Sequence, residues 1–405
     1  GATPRREQAG IEVGATPRRE QEVVRLPEEN RGGGAAPAGL VSDTLVRAGY
    51  DRVAYGWHDG ELWLRFENNL FNRDERLALQ DAADRLHAAL AGSELHSLRL
   101  VLLNQGIPVA ERQLWLEADG ARLTSAAPAD GPATWQSAGE GDHGPVWKPR
   151  VTFSPRISNG VATEYGVLDL SLALTTEVST SLWTGALASV SGNAELYSSE
   201  DFDDNGPFAS ARQRSALLHA DLQQAFRPHR QLFTAFYGGR YEYDYNGWLN
   251  ETLVFSPGRR HALGLLAGNF WNADNNDDQP RQMLGRYSWY WAERDVLVNV
   301  HAGEFFEGDT GFRVDNRFWF GDYAITVTYK NTDAEFLGLG VVIPLTPVKD
   351  QQFRYLQVRG NPDWRYRLQT RINEDSNLVS FGTATMIRSP HSLERLYLNR
   401  LRLPP

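Results

Sequence analysis

The chain has 405 residues, a formal charge of -10 and no cysteine. That length holds one large domain or two. The charge argues against a nucleic-acid binder, which would show a basic face, and the missing thiols exclude disulfides and thiolate metal sites. No run of about 18 apolar residues occurs and mean hydropathy is -0.46, so no helix is expected to span a bilayer. A membrane barrel survives this test, because its lipid-facing residues hide in alternation with polar ones. The 12 Trp, 15 Tyr and 18 Phe would suit interface girdles, although a soluble β protein with an aromatic core fits the same composition.

In chain order, residues 1–39 read as a disordered tail. GATPRREQ occurs twice, at Gly1–Gln8 and Gly14–Gln21, and a glycine run follows; few large apolar residues are present to offset the entropy of ordering. Arg5, Arg6, Arg18 and Arg19 would either meet acidic lipid or polysaccharide or stay solvated. With no initiating Met and no apolar signal region, the start reads as a processed chain or a fragment.

Residues 40–118 read as a small α/β domain of ββαββ order. Strands are expected at Arg52–Tyr55, Glu61–Glu67, Leu98–Leu103 and Val109–Leu116. Asp74–Leu90 carries apolar residues at helical spacing, with Asn72 as N-cap and Gly92 as the stop. Glu67 and Asn68 precede the helix; capping and turn formation account for them better than catalysis, since no partner acid, His or nucleophile stands at a telling spacing. Residues 119–146 are Ala/Gly/Pro/Asp-rich and read as a linker.

From residue 147 to 405 the pattern changes to alternating segments separated by turns and loops. Leu168, Leu170, Leu172 and Leu174 alternate with Asp169, Ser171, Ala173 and Thr175; Ala216, Leu218, Ala220 and Leu222 alternate with Leu217, His219, Asp221 and Gln223; Val296, Val298 and Val300 alternate with Leu297, Asn299 and His301. A face of Asp, His, Gln and Asn is costly in a dry core but suits a wet lumen with lipid against the other face. Loops at Tyr197–Ala211 and Asn272–Arg281 are long and acidic; they carry no EF-hand spacing and read as solvated rather than as Ca²⁺ sites. The count is roughly 12–16 strands, with an aqueous lumen unless Pro344–Gln352 or the linker fills it.

No GxSxG, P-loop, HExxH or Rossmann fingerprint is present. Asp309 in Gly-Asp-Thr-Gly lacks the second Asp of an aspartic protease and reads as a side chain tying a tight turn. His219 and His301 fall on polar strand faces and read as lumen hydrogen-bonders. Tyr287, Trp289, Tyr290 and Trp291, with Arg286 and Arg294, would stack on sugar rings and pair with acidic sugars, or form a girdle.

One stretch carries a resemblance. Gly303-Glu-Phe-Phe-Glu-Gly308-Asp309-Thr-Gly311 is followed by Arg317-Phe318, then Gly321, an alternating strand, Thr332-Asp333 and a Gly-rich strand ending Ile343-Pro344-Leu345. Phe153-Ser154-Pro155, Tyr165-Gly166 and the Glu67-Asn68 turn add to it. This pattern resembles the YjbH/GfcD family of exopolysaccharide and capsule outer-membrane proteins. The resemblance covers Leu40–Leu345 by order of modules and implies a periplasmic module before a carboxy-terminal barrel. Longer members carry another barrel-like region, which this sequence lacks, and Leu401–Pro405 lacks the terminal aromatic common in bacterial barrels.

The sequence therefore predicts a mainly β protein, an antiparallel transmembrane β-barrel preceded by a small α/β domain, in the bacterial outer membrane. It would be non-enzymatic and without cofactor or metal, assisting export of exopolysaccharide or capsule as conduit or gate. Its partners would be polysaccharide, outer-membrane lipid and a periplasmic polysaccharide-export protein. The alternatives are a carbohydrate-binding β protein, soluble or membrane-bound, and a polysaccharide-modifying hydrolase.

Overall fold

The computed structural model describes residues 35–126, 129–138, 147–161, 163–275, 277–350, 356–373, 383–393 and 395. The two GATPRREQ copies, the acidic-loop residue 276 and the terminal residues 401–405 lie outside them.

The α/β module is larger than the sequence pattern indicates. Helix α1 (Ala35–Ala48) precedes β1 (Asp51–His58) and β2 (Glu61–Glu67); α2 (Glu75–Ala89) follows, then β3 (Ser97–Asn104), β4 (Ile107–Glu117), β5 (Gly120–Ser125) and the short β6 (Gln136–Ser137). Together the strands form a six-stranded sheet in the order β5-β4-β3-β2-β1-β6, parallel only where α2 crosses from β2 to β3. Thus α1 begins inside the expected tail, and β5 and β6 inside the expected linker. Leu79, Ala82, Ala83 and Leu86 of α2 are buried in one core with Leu62, Leu64, Phe66, Leu98, Leu100 and Leu102. At about 1.5–3 kcal/mol per buried large aliphatic side chain, this face is what holds α2 in place.

The N-cap is Asp74, not Asn72. Asp74 is extended and its Oδ1 accepts the Arg76 N–H at 2.9 Å. Asn72 is occupied elsewhere: its N–H donates to Val348 O at 3.0 Å and its Nδ2 to Asp350 Oδ1 at 2.7 Å. Asn68 fills the expected turn role, whereas Glu67 neither caps the helix nor forms its own turn but holds a distant one. Asn68 Oδ1 accepts from Leu70 N and Phe71 N; buried Glu67 accepts from Gln105 N (2.9 Å) and Gly106 N (3.1 Å), with Arg52 at 3.0 Å. Burial pushes the Glu67 carboxyl up, and Arg52 and the two backbone donors oppose that shift.

The rest of the described chain is one large sheet. Its strands are β7 (Arg150–Val161), β8 (Leu168–Ser181), β9 (Ala186–Ser198), β10 (Ala216–His229), β11 (Leu232–Tyr241), β12 (Tyr245–Phe255), β13 (His261–Asn272), β14 (Arg281–Trp291), β15 (Val296–Glu304), β16 (Thr310–Phe320), β17 (Tyr323–Asn331), β18 (Glu335–Ile343), β19 (Gln357–Gly360) and β20 (Trp364–Ile372). From β7 to β18 each strand pairs antiparallel with the next; β19 sits parallel on the free edge of β7 and β20 antiparallel on that of β18. These 14 strands fall inside the expected range. The ladder is open: no backbone register joins β20 to β7. The two edges are nonetheless bridged, by Asn361 N to Phe153 O (2.9 Å), Trp364 Nε1 to Pro155 O (2.6 Å) and Asn159 Nδ2 to Arg367 O (3.4 Å).

The sheet is wrapped around a segment from near the carboxy terminus. Residues 383–393 lie against the buried face of the strands. Lys330 Nζ donates to Thr383 O, Gln282 exchanges hydrogen bonds with Ile387 N and O, His391 lies 3.1 Å from Glu177, and Leu393 N donates to Glu251. From β17 to β8 a flat sheet spans nine intervals, about 43 Å. The eight steps from Thr383 to His391 reach roughly 28 Å at most. With the two edges of the sheet bridged as well, the sheet curves around the strap. Among the described residues the interior filler is this strap, and not residues 344–350 or the described part of the linker; residues 351–352, 127–128 and 139–146 lie outside the described residues. Residues 344–350 instead tie the sheet to the module, through Asn72 and through Arg73, which donates to Thr346 O at 2.8 Å.

The module sits at the end of the sheet where turns are short. Gly185 N donates to Gln105 O, Arg227 to Pro108 O, and Arg259 to Val109 O, each at 2.7 Å; Arg73 lies 3.3 Å from Asp322. Gly185, Arg259 and Asp322 belong to the turns β8/β9, β12/β13 and β16/β17, and Arg227 to the end of β10 that leads into the β10/β11 turn. The longer connections, 199–215 and 273–280, are at the opposite end.

Candidate functional site

Alternation distributes the strand residues between two unlike faces. Every second residue of β14 is exposed, and its burial alternates without a break. Outward stand Leu174, Leu222, Leu263, Met283, Ile325, Leu337 and Leu339, exposed to between 38% and 63%. Inward and buried stand Ser189, Asp221, Gln223, Glu251, Gln282, Asn299, His301, Asp315, Arg317, Thr328 and Lys330. This is the reverse of a water-soluble protein, which buries apolar residues and exposes charge. The concave face is not uniformly polar, as the alternation predicts. Phe233, Tyr237, Leu249, Leu253, Leu266, Phe270, Leu284 and Leu297 form an apolar sector across β11–β15, and Ile387 and Leu393 of the strap pack into the same core.

The sequence-predicted contacts divide between the faces. Arg286, His219 and His301 point inward. Arg286 donates to Ser288 Oγ (2.9 Å) and Asn299 Oδ1 (3.0 Å), with Glu251 3.8 Å away. His219 lies 3.1 Å from Asp221, two residues along the same face, and Asp221 accepts from Ser189 Oγ at 2.6 Å. His301 Nε2 lies 2.7 Å from Arg388 Nη2 on the strap. Tyr287, Trp289 and Trp291 point outward, exposed to 40%, 36% and 42%, so they are not lumen contacts. They occupy the odd positions of β14 and Arg286 an even one, and a strand sends the two sets to opposite faces. Arg294 is at the module end, in the turn between β14 and β15, with its guanidinium 5.9 Å from the Trp291 ring. One further departure is local: a bulge between Leu217 and His219 exposes Leu217 and buries Leu218 beside His219, breaking the expected alternation.

The motif glycines and Asp309 hold the β15–β16 connection against the strap. Gly308 and Gly321 occupy turns, as expected. Gly303 has φ +140°, where a Cβ would overlap the Met283 carbonyl, and a Cβ at Gly311 would overlap the Asn331 carbonyl. Asp309 does not tie its own turn. Its buried Oδ2 accepts the Ala384 N–H at 2.7 Å, while Phe306 N donates to Thr385 O at 3.0 Å. Long-range pairing of this kind leaves no mark in local sequence.

Arg317 belongs to a site the sequence pattern does not reveal. A cavity of about 210 Å³ opens on the concave face beside the strap. Arg313, Arg317, Arg365, Arg367 and Arg388 line it, with His301, Asn299 and Asp315. Asp315 is engaged by Arg313 at 2.8 Å and by Thr328 Oγ1 at 2.6 Å, with Arg367 3.9 Å away. Arg317 is 4% exposed, and its Nε and Nη1 have no hydrogen-bond partner among the described residues. A second cavity, of about 160 Å³, lies between module and sheet and is lined by both signs of charge, Asp51, Glu67 and Glu177 with Arg150, Arg359 and Arg395. No group of three or more His, Asp or Glu suited to a metal ion occurs among the described residues. Comparison with protein-family models, curated proteins and solved structures finds no match to this chain.

Proposed function

We propose that this chain is an outer-membrane β-barrel that assists export of exopolysaccharide or capsule, with the α/β module on the periplasmic side and the strap as gate. The observation that carries the proposal is the inverted polarity of the sheet. Large Leu, Val, Ile and aromatic residues stand exposed on strand after strand of the outward face, whereas the largest contiguous apolar patch on a soluble monomer is commonly about 300–600 Å². A soluble carbohydrate-binding protein would need that face covered. Strand length supports the reading. The 11 residues of β14 span about 36 Å, and at a tilt of about 40° roughly 27 Å of height, close to the apolar band of outer-membrane barrels. Exposed aromatics gather towards both ends: Trp183, Trp291, Phe320 and Tyr323 on the module side, Tyr165, Tyr197, Trp248 and Trp271 on the other, as interface girdles do.

Orientation follows from turn length. Outer-membrane barrels keep short turns in the periplasm and long loops outside, and the module is at the short-turn end. In the proposed closure β19 and β20 act as one interrupted strand between β18 and β7. Twelve antiparallel strands plus this one give an odd count, which accounts for the parallel β19–β7 pair and departs from the even count of bacterial barrels. The resemblance at Gly303–Leu345 supplies the polysaccharide, and the strap supplies the gate. The test is a strain lacking this chain. The proposal expects polysaccharide to accumulate in the periplasm and to fall outside the cell; unchanged secretion with no periplasmic accumulation contradicts it.

A further inference from the structure

We propose that the seam between β7 and β20 opens sideways, as a lateral gate latched from inside by Asn361 and the end of the strap. This rests on the barrel reading and goes beyond it by naming where the wall parts. Elsewhere the wall is a continuous ladder. β7 pairs with β8 along Arg150–Val161, and β20 with β18 along Trp364–Ile372. The seam is laddered at one end only. There β19 pairs with β7 over Arg150–Phe153, and Asn361 N donates to Phe153 O at 2.9 Å. Beyond Phe153 no backbone register follows among the described residues. The laddered end is also the one tied to the module: Gln357 Nε2 donates to Asn69 O at 2.9 Å and Arg359 Nη1 to Asn72 Oδ1 at 3.1 Å. The stretch without a ladder runs from there towards the long-loop end.

The sequence of β7 accounts for the break. Pro149 O and Phe153 O both accept from the β19 segment, from Gln357 N and Asn361 N. Alternation then turns the backbone of Pro155 to the same edge. Proline has no N–H, so β7 offers no donor for the next rung. Side chains stand in for the missing ladder: Trp364 Nε1 takes Pro155 O at 2.6 Å, and Asn159 Nδ2 takes Arg367 O at 3.4 Å. Such single bonds release by side-chain rotation, without unzipping a strand. Asn361 is the latch. Its O accepts Leu345 N at 2.8 Å, and its Oδ1 accepts Asp363 N at 3.0 Å and also Arg395 Nη2. Arg395 lies two residues beyond the strap, so a displaced strap draws it off Asn361. The same movement that clears the lumen thereby loosens the seam.

The test uses the full chain, folded in detergent micelles, and electron paramagnetic resonance of nitroxide pairs. The chain has no cysteine, so introduced pairs report without background. Ile157→Cys with Leu368→Cys places labels across the seam on the outward face, where Phe153 and Leu368 are both exposed. Val327→Cys with Leu339→Cys, directly opposite on β17 and β18, is the reference pair. The proposal expects dipolar broadening from a single close population in the reference pair, and both close and separated populations across the seam. Arg395→Ala should raise the separated-to-close ratio at the seam about tenfold or more, the effect of losing one charge-assisted hydrogen bond, and leave the reference pair unchanged. Asn361→Ala, which keeps the backbone bonds of the latch, repeats the measurement should Arg395→Ala fail to fold. A seam pair that stays wholly close in the parent and the folded variants, or a reference pair that separates as much as the seam, overturns the gate. Heat-dependent gel mobility of the same samples reports the barrel separately. A chain that shifts on heating while its seam stays close loses this inference and keeps the export reading; a chain that does not shift loses the barrel reading and the gate with it.

Discussion

Replacing Leu339 by Arg separates a lipid-facing sheet from a water-facing one. Leu339 is 61% exposed, at the middle of β18, opposite Val327 on β17 and Leu368 on β20. On a soluble surface such a change stays within about 0.5 kcal/mol. At a bilayer midplane an arginine on the outer face of a barrel costs about 2–4 kcal/mol, and near the interface about 0–1. Phe320, 63% exposed at the module end of β16, is the matched interface position. Leu339→Arg should therefore cost about 2–3 kcal/mol more than Phe320→Arg, a factor of 30 to 150 or so in the folded-to-unfolded ratio. Leu339→Ala corrects for the lost leucine. The assay is equilibrium urea unfolding in phospholipid vesicles, followed by tryptophan fluorescence. If both arginine variants lie within about 0.5 kcal/mol of the parent, the outer face does not meet lipid and the reasoning fails.

Four other outcomes follow from particular contacts. Gln282→Leu leaves Ile387 N and O unpaired, each at a cost of about 1–3 kcal/mol; conductance in planar bilayers should rise as the strap is released, and an unchanged trace would dissociate the strap from gating. Glu67→Ala breaks a buried pair with Arg52 and the two backbone bonds that hold the 105–106 turn, which Gly185 N grips from the sheet; the module's unfolding should shift by about 3–5 kcal/mol, and a shift below about 1 would contradict this. Gly303→Ala should stop the chain from reaching its folded, heat-shifting form, because a Cβ there overlaps the Met283 carbonyl. Burial, joined by the Asp81 carboxylate, pushes the Tyr50 phenol well above its ordinary value near 10. Its stabilising effect is complete below that pH and lost as pH rises beyond it, since only the unfolded phenol then ionises; Tyr50→Phe should flatten the fall in module stability between about pH 9 and 11, and parallel profiles would refute the assignment.

What the sequence made legible was whatever depends on neighbours in the chain. Period-2 alternation located β8, β10, β15 and, in the motif stretch, β17 and β18, and helical spacing located α2, because both reflect which face each residue presents. The turn role of Asn68 was likewise local, whereas Glu67 clamps a turn 38 residues away. Residues whose partners are distant were not legible. Asn72 looks like a cap until Val348 and Asp350 claim it, and Asp309 looks like a turn residue until Ala384 does. Tyr287, Trp289 and Trp291 lie beside Arg286 in sequence yet on the opposite face, which alternation alone could have separated. The strap and the arginine cavity combine side chains from β16, β20 and residues 386–388, brought together only by curvature of the sheet. The apolar sector across β11–β15 eluded the wet-lumen expectation because alternation separates two faces without saying what packs against the inner one.

The proposed function requires the large sheet to fold as a membrane barrel. Gel mobility of the membrane fraction in SDS, with and without boiling, measures this directly. A barrel is recovered in the outer-membrane fraction, migrates as a compact, SDS-resistant species and shifts on heating. A chain recovered in the soluble fraction, with the same mobility before and after boiling, would contradict it.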